Sequence, residues 1–308
     1  MKKYRASAGY LLLAAALGVF VWYGLTHKQL WTTLGNLNAG IVILLISLYF
    51  VMLGVLVGQL RFIVELCGKK INLKDNLRIS SYSQIVNFFG PLQSGPAVRA
   101  VYLKRNYKVP IRNFVAATVI YYLFYAAVSG IAAIAPSAYW RWLILLVPLG
   151  VFLCWLFYKI YIKFIYKEKP GAESGRKLGF KPLAYLLLVT IFQVVLQAII
   201  YYVELKTANR AISLRQTFIY TGVANFALFV ALTPGAIGIR EAFLLFSTKL
   251  HHISPKSIVA ASFIDRAVFI TFLGILFVIT VSLHFKDKLK IKKADLNLSS
   301  PEETVKNT

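Results

Sequence analysis

Apolar residues in this chain come in long runs, and six of them, at 6–25, 39–60, 114–135, 142–161, 183–203 and 258–283, approach the length that crosses a bilayer as a helix, roughly 20 residues. Two other stretches are apolar but punctuated. The first, 79–107, is broken at Gly90-Pro91 and Gly95-Pro96, which leaves limbs of about 11 residues, roughly 16 Å of helix against a hydrocarbon core of ~30 Å. The second, 216–250, is broken at Pro234-Gly235, with Gly238 close behind. Proline removes a backbone donor and glycine weakens a helix, so such breaks are tolerated at membrane depth only where protein encloses them or they line a cavity. Each stretch is expected to enter the membrane and return. The pattern predicts an all-α polytopic membrane protein with six spanning helices and two re-entrant helical hairpins.

Composition agrees with that pattern: 58% of the 308 residues are hydrophobic and 15% charged. The formal net charge of +24 raises nucleic acid as a partner, but the basic residues sit between apolar runs and no basic soluble domain carries them. They act as topology signals instead. With the N-terminus inside, the inner segments hold 25 Lys and Arg and the outer ones seven, the excess expected of cytoplasmic loops. Both termini are therefore expected in the cytoplasm. The first run is expected to be a retained helix, because no small-residue cleavage site follows it. Two cysteines, Cys67 and Cys154, support neither a disulfide framework nor a metal site. The pair His251-His252 has no third ligand nearby, so no metal or other cofactor is expected.

The chain also repeats itself. Val115-Ala-Ala-Thr-Val-Ile120 recurs as Val259-Ala-Ala-Ser-Phe-Ile264, each a few residues after a proline, Pro110 or Pro255. Asn87-Phe88 parallels Asn225-Phe226, and the turn Ser94–Ala100, SGPAVRA, parallels Thr233–Glu241, TPGAIGIRE, so that Arg99 and Arg240 occupy corresponding places. Each half reads span, span, hairpin, span. Three crossings then separate equivalent elements, and the second copy is inverted relative to the first. The expected organisation is a first repeat at 1–138, an inverted second repeat at 139–285 and a polar tail at 286–308 without fixed structure. In inverted-repeat transporters the substrate site lies near the midplane where broken helices of the two halves meet.

At the second hairpin the sequence TPGAIGIREAFLLF, followed by Pro255, Ala260-Ala261 and Arg266, resembles the Pro-Gly-x-x-Gly-x-Arg-Glu-Ala signature of the transmembrane region of lysylphosphatidylglycerol synthetase/flippase proteins. The first hairpin, with Asn87, Pro91, Gly95 and Arg99, and Arg61 ending the second span, looks like the same family on scattered positions, and the likeness runs to about residue 285. The resemblance implies lipid translocation between leaflets in a bacterial or archaeal-type cell membrane, of phosphatidylglycerol or its aminoacyl derivative. The soluble aminoacyltransferase domain of bifunctional members has no counterpart in the 25 residues after Leu283, so an enzyme is not expected. Stand-alone relatives accompany glycosyltransferases and polyprenyl-lipid pathways, which makes a glycolipid or polyprenyl-phosphate carrier the first alternative. A non-transporting accessory subunit or a synthase-type enzyme is the second. The implied partners are membrane lipids, a lipid-modifying synthase or glycosyltransferase, and a second copy of the chain.

Intramembrane charges are rare and mark pathways or relays. Arg99 and Arg240 are the expected headgroup ligands, because a guanidinium binds phosphate oxygens bidentately; the bland alternative is that each neutralises carbonyl groups opened at a proline break. Asp265 and Arg266 stand where the first copy has Tyr121 and Tyr122. Neighbours on a helix do not face each other, so Arg240 with Asp265 and Glu241 with Arg266 are the expected cross-pairs, with a proton or sodium ion at Asp265 as the other use. Asn87 and Asn225 complete the expected binding set, and Pro91, Gly95, Pro96, Pro234, Gly235 and Gly238 the breaks that shape it. Gln193 and Gln197 line a groove or bond between helices. Glu204, Tyr201 and Tyr202 are read as the outer end of the fifth span, the tyrosines as interfacial anchors.

Overall fold

The computed structural model describes residue 26, residues 35–89, 94–137, 139, 141, 180–230, 236 and 239–298. The expected spans at 6–25 and 142–161, and the breaks at Pro91, Pro234, Gly235 and Gly238, lie outside the described residues. Within them the chain is helical throughout: α1 Ala39–Leu66, α2 Leu73–Phe89, α3 Gly95–Tyr107, α4 Ile111–Ile134, α5 Phe180–Ala208, α6 Leu214–Val230, α7 Ile239–Phe246, α8 Thr248–His251 and α9 Pro255–Leu298. Four segments are long and apolar enough to cross a membrane, Ala39–Leu66, Ile111–Ile134, Lys181–Ala208 and Pro255–Ser282. They contain the four expected spans that fall within the described residues.

Local signals set the boundaries. Asn38 accepts a hydrogen bond from Gly40 N at 2.8 Å and opens α1, satisfying one of the donors a helix start leaves free. Pro110 precedes α4 and Pro255 begins α9, where a missing N–H costs nothing. The helix before each of these prolines ends on a left-handed residue, Lys108 at φ 53° and His252 at φ 55°. Glycine is the usual occupant of that cap, so two corresponding positions share the same departure from it.

Between the spans the short helices pair. Helices α2 and α3, of 17 and 13 residues, run antiparallel: Gly95 lies against Ser83 and Asn87, while Tyr107 Oη donates to Asp75 at 2.6 Å at the other end. A Cβ on Gly95 would stand 2.8 Å from the Ser83 carbonyl oxygen, so glycine permits this approach. Helix α6 returns through α7 and α8, and Gln216 near its start donates to the His252 carbonyl at 3.1 Å. Span, hairpin, span therefore occurs twice in the described chain, as α1, α2–α3, α4 and as α5, α6–α8, α9.

Helices α1 and α5 form the centre. One apolar cluster joins α1, α2, α5 and α9 around Tyr49, Phe88, Val268 and Phe272; a second joins α1, α3, α4 and α5 around Leu60, Leu103 and Leu186; a third holds α6 and α7 on α5 and α9 through Leu205, Tyr220 and Leu244. The outward faces stay apolar, with Ile43 and Leu188 among the uncovered side chains, as lipid contact demands rather than water. The central window of Pro255–Ser282 is 56% buried, that of Ile111–Ile134 33%, so α9 is the most enclosed span.

Of the span ends, that of α9 departs furthest from the sequence reading. Helix α9 continues past the apolar stretch to Leu298, into the segment read as a tail without fixed structure. No Gly or Pro lies between Gly274 and Pro301, and lysine, leucine and alanine in that segment favour helix.

Candidate functional site

The hairpins and spans enclose a cavity of about 270 Å³ whose wall includes Arg99 from α3, Arg240 from α7, and Asp265 and Arg266 from α9. Tyrosines 49, 121, 122, 125 and 201 and the amides of Gln59, Gln84, Asn87, Gln193 and Gln197 line it as well. Polar side chains at mid-span are costly in hydrocarbon and persist where they face an enclosed space. Both hairpins therefore reach one chamber.

On the side of α7 the charges are matched. Arg240 Nη2 donates to Asp265 Oδ2 at 2.6 Å, and Arg266 Nη2 to Glu241 Oε1 at 2.5 Å. These are the two cross-pairs expected from adjacency: consecutive residues of α7 meet consecutive residues of α9. Arg240, Asp265 and Arg266 are each at least nine-tenths buried, where a charge without a partner costs several kcal/mol. Arg240 Nη1 also donates to Tyr201 Oη at 3.4 Å, and the guanidinium carbon stands 5.7 Å from that ring's centre, a stacking distance for a cation on an aromatic face.

On the side of α3 they are not. Arg99 makes no ion pair and no hydrogen bond among the described residues, and its Nε is buried without a partner. Tyr121 and Tyr122, neutral phenols, share the cavity wall with it; they follow the run Val115–Ile120 as Asp265 and Arg266 follow the similar run Val259–Ile264. The two arginines therefore have different surroundings.

A family model described as the lysylphosphatidylglycerol synthase TM region matches residues 8–278. The chain belongs to this family. The match takes in three of the four spans and both hairpins, and ends four residues short of the end of the fourth, Pro255–Ser282. No curated protein matches the chain.

Within this family member the remaining expected residues divide. Asn87 lines the cavity. Asn225 does not: it is fully buried on α6 and donates to Ser129 Oγ of α4 at 3.1 Å. Gly222, one turn earlier, packs on the same helix, where a Cβ would come within 2.6 Å of Ala133 N. Asn225 therefore joins two closely packed helices. Gln193 does both things proposed for it, lining the cavity and accepting from Tyr121 Oη at 3.2 Å. Arg61 pairs with Glu65 at 3.0 Å on an exposed surface. His251 is buried beneath α7, with Nε2 3.0 Å from the Leu244 carbonyl and Nδ1 accepting from Ile253 N at 3.1 Å, so it braces the helix that carries Arg240.

Two residues differ from their sequence reading. Tyr201 and Glu204 are 3% and 1% exposed, not interfacial, because α5 runs on to Ala208 and keeps its last turns inside the bundle. Tyr49 Oη bridges two carboxylates there, 2.7 Å from Asp265 Oδ1 and 3.2 Å from Glu204 Oε1. Tyr49 and Glu204, like Gln59, Gln84 and Tyr125 on the cavity wall, have places that sequence reasoning missed; for Glu204, an acidic residue at the edge of an apolar run was the available signal.

Proposed function

We propose that this protein translocates a phosphate-bearing lipid between membrane leaflets, with Arg99 as the first ligand of the headgroup. The observation that carries this is the contrast in pairing: a guanidinium on a cavity wall with a buried, unpartnered Nε, in a chain that buries its other cavity arginines against carboxylates. Phosphate oxygens satisfy such a group bidentately. Arg240, whose Nε also makes no hydrogen bond, is the second ligand, reached when the headgroup competes with Asp265. Gln59 Oε1, buried and unpartnered on the same wall, calls for a donor, which a glycerol hydroxyl or an ammonium supplies.

In this reading the chain is an inverted repeat of six spans and two re-entrant hairpins, divided at 138/139. The short limbs support it, since 17-residue and 13-residue helices extend about 25 and 20 Å, less than the ~30 Å core. Lys108 and His252 in matching left-handed caps support it too. The family match lies in the membrane region alone, which favours a transport role over aminoacyl transfer. Moving one net charge through the membrane costs or yields ~2.3 kcal/mol per 100 mV, so a charged headgroup needs a gradient or a companion ion.

A second reading, translocation of a polyprenyl-phosphate sugar beside a glycosyltransferase, draws on the same wall: five amides and five tyrosines suit a polyhydroxylated group. Leaflet exchange in reconstituted vesicles separates the two. Headgroup-labelled phosphatidylglycerol, its lysyl derivative and a polyprenyl-phosphate sugar are quenched from outside, and the lipid whose exchange the protein accelerates is the substrate. Acceleration of none of them contradicts the transport reading.

A further inference from the structure

Tyr49 has one hydroxyl hydrogen and lies within hydrogen-bonding distance of two carboxyl groups, Asp265 at 2.7 Å and Glu204 at 3.2 Å. It can donate to only one of them. The shorter bond goes to Asp265, which also receives Arg240 at 2.6 Å. Glu204 then faces the phenolic oxygen, an acceptor, and the contact is a hydrogen bond only if Glu204 supplies the hydrogen. Both carboxyl groups thus crowd one hydroxyl, Tyr49 Oη, an arrangement in which both cannot be ionised without strong repulsion.

Charge counting leads to the same place. Arg240 with Asp265 and Arg266 with Glu241 cancel, and among the described residues no cation pairs with Glu204, which is 1% exposed. Around it, Tyr49 from α1 stands 3.2 Å away, Asp265 from α9 shares that hydroxyl, Arg240 from α7 is bonded to Asp265, and Tyr201 on its own helix accepts from Arg240 and packs edge-on against Tyr220 of α6. The only cation in that set is already bound to Asp265. Arg240, more than nine-tenths buried on the cavity wall, has an Nε that makes no hydrogen bond, with Glu241 Oε1 3.9 Å away, so an anion in the cavity has a donor to claim beside the one Asp265 holds.

We propose that Glu204, Tyr49 and Asp265 form a proton-binding site coupled to anion binding at Arg240: Glu204 holds a proton in the unloaded protein, and a second proton enters at Asp265 when an anionic headgroup takes Arg240 from it. The inference rests on the headgroup reading of the cavity. The balance is simple. A phosphate oxygen replaces the carboxylate on Arg240, Asp265 loses its cation and takes up a proton from bulk solution, and the loaded site returns to the net charge of the empty one. Tyr49 passes the hydrogen between the two carboxyls, accepting from one as it donates to the other. The lipid's negative charge then crosses with a proton, and the membrane potential does no net work on the pair. A proton gradient drives it instead.

Two measurements on the purified full chain test this. Infrared spectroscopy at neutral pH is expected to show the carbonyl stretch of a protonated carboxylic acid that disappears in Glu204→Gln; a spectrum unchanged by the substitution overturns the proposal. Glu204→Gln keeps the neutral shape and the hydrogen bond, so it is expected to fold. In weakly buffered solution, glycerol phosphate is then added and proton uptake is read with an indicator dye. About one proton per bound anion is expected, and affinity about tenfold higher per unit fall in pH, as linkage requires. Asp265→Asn, permanently neutral, should bind without uptake, and Tyr49→Phe serves as the second variant if it does not fold. Binding without proton uptake in the wild type overturns the coupling. An intact Glu204 band with no binding of glycerol phosphate at any pH instead overturns the headgroup reading and, with it, the coupling to Arg240, leaving the protonated Glu204 established on its own.

Discussion

Arg99 and Arg240 occupy corresponding places in two similar stretches of sequence, SGPAVRA and TPGAIGIRE, yet one faces tyrosines without an ion pair among the described residues and the other is bonded to Asp265 at 2.6 Å. The difference arises at two positions on the following span, Tyr121-Tyr122 in the first half and Asp265-Arg266 in the second. In the proposed reading, duplication supplies the frame, two hairpins meeting in one chamber, and divergence at those two positions makes one arginine a receptor and the other a partner that must be released. A cavity with two free arginines would hold an anion tightly and part with it slowly. One free and one competed arginine can bind it and let it go.

The largest effect expected from breaking this contrast is on stability in the second half. Arg240→Ala leaves Asp265 buried without its cation, which costs about 3–5 kcal/mol, read as a fall in the thermal unfolding temperature of the detergent-solubilised protein. Arg240→Ala combined with Asp265→Ala should recover part of that loss, because residues of one ion pair are not additive. In the first half the loss moves from stability to function. Arg99→Ala is expected to slow headgroup exchange about 100-fold, the effect of losing a charge-assisted bidentate contact worth ~2.7 kcal/mol, with unfolding unchanged or shifted upward.

The asparagines sharpen the comparison in the opposite sense. Asn225→Ala removes the buried bond to Ser129 and should destabilise by about 1–3 kcal/mol while the folded fraction exchanges lipid normally. Asn87→Ala, on the cavity wall, should impair exchange at little cost in stability. The smallest effect is a pH dependence confined to the second hairpin. Burial holds the His251 imidazole below its ordinary value, against the opposing pull of its bond to the Leu244 carbonyl. The unfolded chain therefore binds the proton more readily than the folded one. That part of the stability is complete above the ordinary imidazole value of ~6.5 and is lost as pH falls below it. His251→Gln should flatten the slope in that window, measured by unfolding at a series of pH values.

Much of this frame was legible in the sequence. Apolar run length located the four described spans, and adjacency on a helix foretold that Arg240 meets Asp265 and Glu241 meets Arg266; the two punctuated stretches correspond to the helix pairs α2–α3 and α6–α7, with most of the breaks themselves outside the described residues. What escaped was the inward face of each span. In a soluble helix a polar face opposes an apolar one and marks the core, but a membrane helix is apolar toward lipid as well, so nothing in the runs around Tyr49, Gln59 or Tyr125 distinguishes the cavity side. Glu204 escaped for a different reason. The run was ended at 203 by loss of hydropathy, whereas backbone hydrogen bonding and packing carry α5 on to Ala208. Asn225 shows the converse error of pattern, since its match to Asn87 in the repeat did not reveal that it faces α4 rather than the chamber.

The central claim is that Arg99 receives the headgroup, and the most direct test is exchange of headgroup-labelled phosphatidylglycerol in vesicles containing wild-type protein or Arg99→Ala, with unfolding temperatures measured on both. The account predicts accelerated exchange for the wild type, exchange about 100-fold slower for the variant, and no loss of stability. Exchange at the wild-type rate by the variant, or a fall in its unfolding temperature comparable to that of Arg240→Ala, would contradict it and make Arg99 a structural residue.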